Sequence, residues 1–353
     1  EYGYDEDWTF EGIHPWGYSS FDNYSRDRNN QSAEIRLISN DNSKIFAEST
    51  DWVVGIYALS SEEDLSRRYT YLPSDFTSGY DFDTYATFFQ LDTSLAENLE
   101  LSTGLRLEKR RTYYKDSDGS KFTPDENFWG GRIALKYFTN ESTMIYGSIA
   151  RGYKAGGFNT DGSLDEDLRE FDEEYLIEYE AGIKSKLLND RLSVRATFFY
   201  DERHDQQVKS SIVRVRPDGS SEFIDFLGNA AEGTNKGLEI EADWYATDNL
   251  NLSAALGLLD ATFDSFINEF GEDLSGRDQA QAPKYTYHLA ADYLKNNWQF
   301  QVSADGKDDF YFSDRHGVKS ESYTLFNANI GYSHDSWKVS LWGRNLTDKD
   351  VFT

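Results

Sequence analysis

The chain contains no cysteine, so disulfide frameworks and thiolate metal sites are excluded. Proline (5) and methionine (1) are scarce. No apolar run approaches the ~20 residues a membrane helix needs; residues 52–59, Trp-Val-Val-Gly-Ile-Tyr-Ala-Leu, form one of the longest. Positive charge is also in short supply. Against 63 Asp and Glu stand 35 Lys and Arg, a formal net charge of -28. That balance excludes nucleic acid as a partner, because phosphates need a basic counter-surface. The acidic start, Glu1-Tyr2-Gly3-Tyr4-Asp5-Glu6-Asp7, lacks the apolar stretch of a signal peptide. The chain is therefore expected to be mature or cut from something longer.

Aromatic residues, by contrast, make up 16% of the chain, although its mean hydropathy is negative. A wall with a greasy outside and a wet inside has this composition. Residues 236–258 show the pattern most clearly. Leu238, Ile240, Ala242 and Trp244 alternate with Glu239, Glu241 and Asp243. After the turn Thr247-Asp248-Asn249, Leu250, Leu252, Ala254, Leu256 and Leu258 alternate with Asn251, Ser253, Ala255 and Gly257. Successive strand side chains point to opposite faces, so this reads as a β-hairpin with one apolar and one polar face. Each arm is about ten residues, the length a tilted strand needs to cross a bilayer.

The rhythm recurs along the chain. It is seen in Ala33-Ile35-Leu37, Tyr85-Thr87-Phe89-Leu91, Leu99 to Leu107, Ile133-Leu135-Tyr137, Ile177 to Ile183, Leu192 to Tyr200, Tyr285 to Tyr293, Trp298 to Ala304, Phe326 to Tyr332 and Trp337-Val339-Leu341. About fourteen strands are expected, preceded by some twenty residues of loop. Short connections (247–249, 295–297, 333–336) alternate with long ones (110–127, 155–172, 209–223, 264–282, 305–322). Tyr137, Trp244, Tyr293, Trp298, Tyr332 and Trp337 cluster beside the short turns on the apolar face. Short turns at one end, long loops at the other and an aromatic girdle predict an all-β fold, a transmembrane antiparallel β-barrel. A soluble β protein binding glycans shares the alternation but not the girdle.

Six segments resemble, in order, the barrel of TonB-dependent outer-membrane receptors, which import iron chelates and other scarce ligands. They are residues 146–159 (YGSIARGYKAGGFN), 171–184 (FDEEYLIEYEAGIK), 192–208 (LSVRATFFYDERHDQQV), 229–241 (NAAEGTNKGLEIE), Ala282-Pro283-Lys284, and 343–348 (GRNLTD). The resemblance implies a barrel of about 22 strands with a plugged lumen. Residues 1–353 would then be a partial barrel domain, with the plug, the first strands and the closing strand outside it. It further implies as partners the chain's own N-terminal plug, the TonB complex, an iron-chelate ligand, and outer-membrane lipid and lipopolysaccharide.

Arg151-Gly152-Tyr153-Lys154-Ala155-Gly156-Gly157 invites a phosphate-loop reading, but the Lys precedes the glycine pair and no Ser or Thr follows it. A strand end turning into an outer loop is the plainer reading; ligand contact by Arg151, Lys154 or Phe158 is the sharper one. Asp116-Ser117-Asp118-Gly119 lacks the distant Glu of a calcium loop and reads as a hairpin tip. His14, His204, His288, His316 and His334 show no metal-ligand spacing, and His288 is expected to be a lumen-facing hydrogen-bonder. Acidic runs at 165–167 and 172–174 suggest colloidal repulsion, or divalent cations bridging lipopolysaccharide.

The polar face carries charges of both signs. Arg132, Arg195, Glu239 and Glu241 are expected to grip the plug. Loop aromatics Tyr113, Tyr114, Phe310, Tyr311 and Phe312 could stack on a ligand or pack the loops together. The expectation is a transport receptor, not an enzyme, with no cofactor and no metal. Its cargo is expected to be a ferric siderophore. The alternatives are a passive porin or adhesin barrel, or an importer of cobalamin or oligosaccharide.

Overall fold

The structure, a computed structural model, describes residues 2–8, 22–70, 72–160, 164–216, 219, 221–268, 271–314 and 316–351. In chain order its strands are β1 (Tyr2–Trp8), β2 (Asp22–Ile38), β3 (Thr50–Tyr69), β4 (Phe76–Ala96), β5 (Leu99–Asp116), β6 (Lys121–Phe122), β7 (Asp125–Asn140), β8 (Thr143–Lys154), β9 (Gly157–Phe158), β10 (Glu170–Phe171), β11 (Glu174–Leu187), β12 (Leu192–Val215), β13 (Ser221–Tyr245), β14 (Leu250–Phe266), β15 (Tyr285–Lys295), β16 (Trp298–Lys307), β17 (Tyr323–His334) and β18 (Trp337–Gly343). One antiparallel sheet takes up β1 to β5, β7, β8 and β11 to β18, each paired with the next along the chain. β6 adds a rung to β5, and β9 with β10 forms a separate two-stranded ribbon. A single 3-10 turn, Glu166–Leu168, precedes β10.

The period-two pattern fixes the register, since a slip of one residue would turn every apolar side chain to the wrong face. Row after row matches like with like. Thr103 pairs with Ile133, Ile133 with Ile149, Ile149 with Tyr179, and Tyr179 with Tyr200. In the hairpin at 236–258, Trp244 pairs with Leu252 and Ile240 with Leu256. This apolar face is uncovered: Ile133 is 60% exposed and Ile149 54%. Among the described residues no second layer of protein lies on it, whereas a sandwich would bury it. Hydrocarbon is the medium that such a face fits.

The aromatic girdle is continuous at the short-turn end. Trp298 and Tyr332 are register partners with rings 4.9 Å apart, and Tyr332 lies 5.7 Å from Trp337. On the polar face, aromatic rings lie over glycines of the neighbouring strand. Phe88 covers its register partner Gly55, Tyr146 covers Gly182, and Phe199 covers Gly237. A Cβ on Gly182 would stand 2.6 Å from the Tyr146 ring, so glycine is the only residue that lets these rings lie flat.

Two expectations are corrected. Residues 2–8 are a strand paired with β2, not loop; residues 9–20, read as loop, lie outside the described residues. The main sheet runs through fifteen successive strands plus the β6 rung, in keeping with the about fourteen expected. Connections do not alternate strictly by length: 39–49, on the short-turn side, is longer than 70–75 or 216–220 on the other. What distinguishes the outer end is strand length. β12 and β13 have 24 and 25 residues, so 209–223 is chiefly paired strand. Ser, Lys and Arg mix with Ile and Val there on both faces, and a ribbon wet on both sides carries no alternation to read.

Candidate functional site

Two regions of the sheet bring the candidate side chains together: the polar face in the membrane-spanning rows, and the hairpins beyond them.

On the polar face, β8, β11, β12 and β13 bring Tyr146, Glu178, Glu180, Lys184, Arg195, Glu239 and Glu241 around one open cleft. Arg195 Nη2 lies 2.8 Å from Glu241 Oε2, and Arg132 Nη2 lies 3.8 Å from Glu180 Oε2. The Tyr146 hydroxyl donates to Glu180, and Lys184 stands over the Tyr146 ring at 5.4 Å. Further along the same face Lys136 pairs with Glu100 at 2.5 Å and Arg106 with Glu108 at 2.6 Å. All four residues expected to line the lumen therefore share this face. Glu178 and Glu239 have no salt-bridge partner among the described residues, so carboxylates outnumber cations in the cleft. His288 is on this face too, its Nδ1 2.6 Å from Asp305 Oδ1, with Asn327 donating to Asp305 Oδ2 at 2.8 Å. It is a hydrogen-bonder, as its place in the alternation predicts.

Beyond the apolar band, outward-facing positions become polar: after Leu105 and Leu107, β5 carries Lys109 and Arg111. Here the loops are clasped together. Asp116 ends β5 as a turn-former, its Oδ1 accepting from the backbone N–H of Asp118 and Ser120. Its Oδ2 accepts from Arg169 Nη2 at 2.9 Å and from the Tyr114 hydroxyl at 2.9 Å. Burial works to raise the Asp116 carboxyl, but the hydrogen bonds from Arg169, Tyr114 and Ser120 prevail and hold it below the usual carboxylate range. Burial, and donation to that carboxylate, push the Tyr114 phenol well above its ordinary value.

Amide side chains complete the clasp. Asn159 donates to Leu227 O (2.8 Å) and accepts from Leu227 N (2.9 Å). Asn229 does the same for Asp172, accepting from its N–H at 2.6 Å and donating to its carbonyl at 3.0 Å. Each amide thus substitutes for a missing strand along the edge of β13 or residue 172. A β-bulge in β12 between Arg203 and Gln207, with Asp205 at φ 52°, turns Gln207 inward. Gln207 Nε2 there donates to Ala155 O and Asp172 O, both at 2.9 Å.

The seven residues expected to touch ligand are dispersed. Tyr114 is fully buried, its ring 4.3 Å from Phe158, which also stacks on Phe122 at 4.9 Å. Phe310 is buried with Lys307 over its ring at 3.8 Å. Tyr311 lies between Arg277 (4.1 Å) and Lys319 (4.3 Å). Arg151 stands over Trp129 and Tyr175, each at 4.5 Å. Tyr113 is on the outer surface of the wall in the Leu107 series, and only Lys154 is an exposed cation at a strand end. The acidic runs are tied into ion pairs, Asp165 to Arg214 at 2.8 Å and Glu173 to Arg151 at 3.8 Å. Arg169, Asn229 and Gln207, which organise the loops, carry no sequence signal that separates them from ordinary surface residues.

The comparisons agree with this architecture. Residues 1–346 match the family model "TonB dependent receptor-like, beta-barrel". The pesticin receptor of Yersinia pestis is 25% identical over 260 residues, 68% of this chain and 36% of that protein. Among solved structures, the ferric yersiniabactin uptake receptor FyuA from Yersinia pestis superposes with a TM-score of 0.78 at 19% identity, covering 98% of this chain and 52% of that one. The siderophore receptor PiuA from Acinetobacter baumannii gives 0.73 at 16% identity, covering 94% and 53%. The chain spans about a third of the curated relative's length and about half of each solved one. With the apolar face bare, the girdle in place and the family model matching residues 1–346, the chain belongs to the TonB-dependent receptors and forms β-barrel wall in the bacterial outer membrane.

Proposed function

We propose that this chain is most of the barrel of an importer that captures a ferric siderophore at its outer hairpins and passes it inward when TonB displaces a plug domain. On this reading residues 1–353 are a partial barrel, and the plug is contributed by sequence outside them. The observation that carries the proposal is the charged cleft on the polar face, where Glu178 and Glu239 form no salt bridge among the described residues while Arg195 and Glu241 are paired. Carboxylates without a salt bridge on this face favour a partner body that brings guanidinium or ammonium groups to them. Arg132, Arg195, Glu239 and Glu241 are its proposed contacts. An open water-filled porin has no need of such a partner.

Ligand contact is proposed for Lys154, exposed at the last position of β8, and for Arg151, Phe158, Tyr113, Tyr114, Phe310 and Tyr311 at the outer strand ends and loops. The test is growth of a deletion strain on single iron sources, with cobalamin, copper and oligosaccharides as controls. Loss of growth on one ferric chelate, restored by the gene, supports the reading. Unchanged growth on every chelate, with a defect on another nutrient, overturns the cargo. Separately, Glu239→Gln with Glu241→Gln should raise passive permeability to large antibiotics several-fold; an unchanged leak removes these carboxylates from the plug interface.

A further inference from the structure

Beyond His204 and Ala231 no neighbouring strand of the sheet accompanies β12 and β13, which continue as a two-stranded ribbon, Gln207 to Val215 paired with Asn229 to Ser221. Its tip reaches the far side of the mouth. Arg216 Nη2 donates to the Tyr69 hydroxyl at 2.7 Å, 147 residues away in the chain, and Nη1 donates to Ser221 O at 2.7 Å within the ribbon. Tyr69 ends β3, and β4, β5, β7, β8 and β11 separate that strand from β12 in the sheet. Tyr69 lies an even number of residues beyond Gly55 on one unbroken strand, so both face the polar side. The ribbon therefore meets β3 across the lumen and not around the outside of the wall. Its landing point is fixed in advance: Arg67, held by Asp22 through Nε at 2.9 Å and Nη2 at 2.8 Å, stands over the Tyr69 ring at 4.6 Å.

The ribbon is also held at its base and middle. The bulge that would serve as a hinge is pinned, since Asn229 Nδ2 donates to Asp205 O at 2.7 Å and Gln207 N donates to Glu174 Oε2 at 3.0 Å. Just above it, Val208 joins a buried cluster with Ala231, Phe263 and Phe266. At mid-length come the two bonds of Asn159 to Leu227, and nearer the tip Arg214 pairs with Asp165 at 2.8 Å. Ile224, in the returning arm, is 1% exposed. These partners sit on different strands and loops, so a swinging ribbon would have to break them together. A segment tied in this way opens only as part of a larger unfolding unit.

We infer that the β12–β13 ribbon is a fixed crossbeam over the mouth and not a lid, and that cargo passes beside it while it stays latched to Tyr69. This rests on the reading of the chain as the barrel of an importer. A fixed beam divides the entrance, so the gap beside it, and not the full width of the mouth, limits the size of the cargo.

The chain contains no cysteine, so Tyr69→Cys with Arg216→Cys supplies a defined pair in the full-length receptor. Cells are treated with a bis-maleimide or with a monofunctional maleimide, and mass spectrometry reports the crosslink. Uptake is followed with radioactive iron on catecholate, phenolate and hydroxamate chelates. Equal uptake after the two treatments supports the beam. Uptake several-fold lower after the bis-maleimide alone makes the ribbon a lid and overturns the proposal, as does failure of the pair to crosslink. Absence of uptake in untreated cells counts against the importer reading instead, and hydrogen exchange then judges the beam without cargo. Tyr69→Phe keeps the ring and deletes the hydroxyl. Exchange at residues 212–216 and 221–224 should rise several-fold in this variant, with β15 to β17 unchanged; wild-type exchange at the tip overturns the latch.

Discussion

Asp116 and Arg169, 53 residues apart in the chain, meet at 2.9 Å with side chains only 0% and 6% exposed. The pair ties the β5 hairpin tip to the loop that carries the 3-10 turn. Arg169 also donates through Nε to Asn159 O at 2.9 Å, so one guanidinium joins the ion pair to the amide clamps.

Removing one partner of a buried pair strands the other charge, at a cost of about 3–5 kcal/mol. Asp116→Ala should therefore release residues 155–173, seen as faster amide hydrogen exchange there and unchanged exchange in β14 to β17. Asp116→Leu combined with Arg169→Met should be milder than either single change. Equal exchange in wild type and Asp116→Ala would show that the pair holds nothing.

The same carboxyl sets a pH limit. Its value in the clasped state is depressed, so the stability it contributes is fully present above the ordinary carboxylate value of about 4. That stability is lost as pH falls through the lower clasped value. The protection of residues 155–173 relative to unfolded amides should be constant from neutrality to about pH 5 and should fall only in stronger acid.

The amide clamps are uncharged and should be indifferent to salt. Asn159→Ala deletes both bonds to the Leu227 backbone and should cost about 1–3 kcal/mol of local stability. Proteolysis of the 155–173 loop checks this, and the effect should be equal at low and high ionic strength.

Ile133 lies midway between Trp129 and Tyr137 on the bare face. An arginine there should destabilise the barrel by about 2–4 kcal/mol if that face meets the bilayer midplane. Folding titrations in lipid vesicles measure it. A neutral outcome would mean that water, not hydrocarbon, contacts Ile133.

Gly182 is the floor on which the Tyr146 ring lies. Gly182→Val must expel the ring, breaking its hydroxyl bonds to Glu180 and Thr197. Overpacking of this kind costs about 1–3 kcal/mol, and a lower unfolding temperature in detergent should report it. Gly152→Ala, with open space around its Cβ position, should be neutral.

The sequence by itself determined the membrane-spanning part. Leu238, Ile240, Ala242 and Trp244 could be assigned to one face, and Glu239 and Glu241 to the other, because a strand between lipid and water has only one register that satisfies both. His288 and the girdle from Tyr293 to Trp337 followed from the same rule. Beyond Leu107 and Tyr200 both faces are wet, that constraint vanishes, and alternation no longer distinguishes strand from loop. There the tertiary structure decided. Only the fold brings Asp116 to Arg169 and Asn229 to Asp172, and only burial shows that Tyr114 and Phe310 pack the loops from within. Such pairs depend on where distant hairpins cross, which no local pattern of side chains encodes.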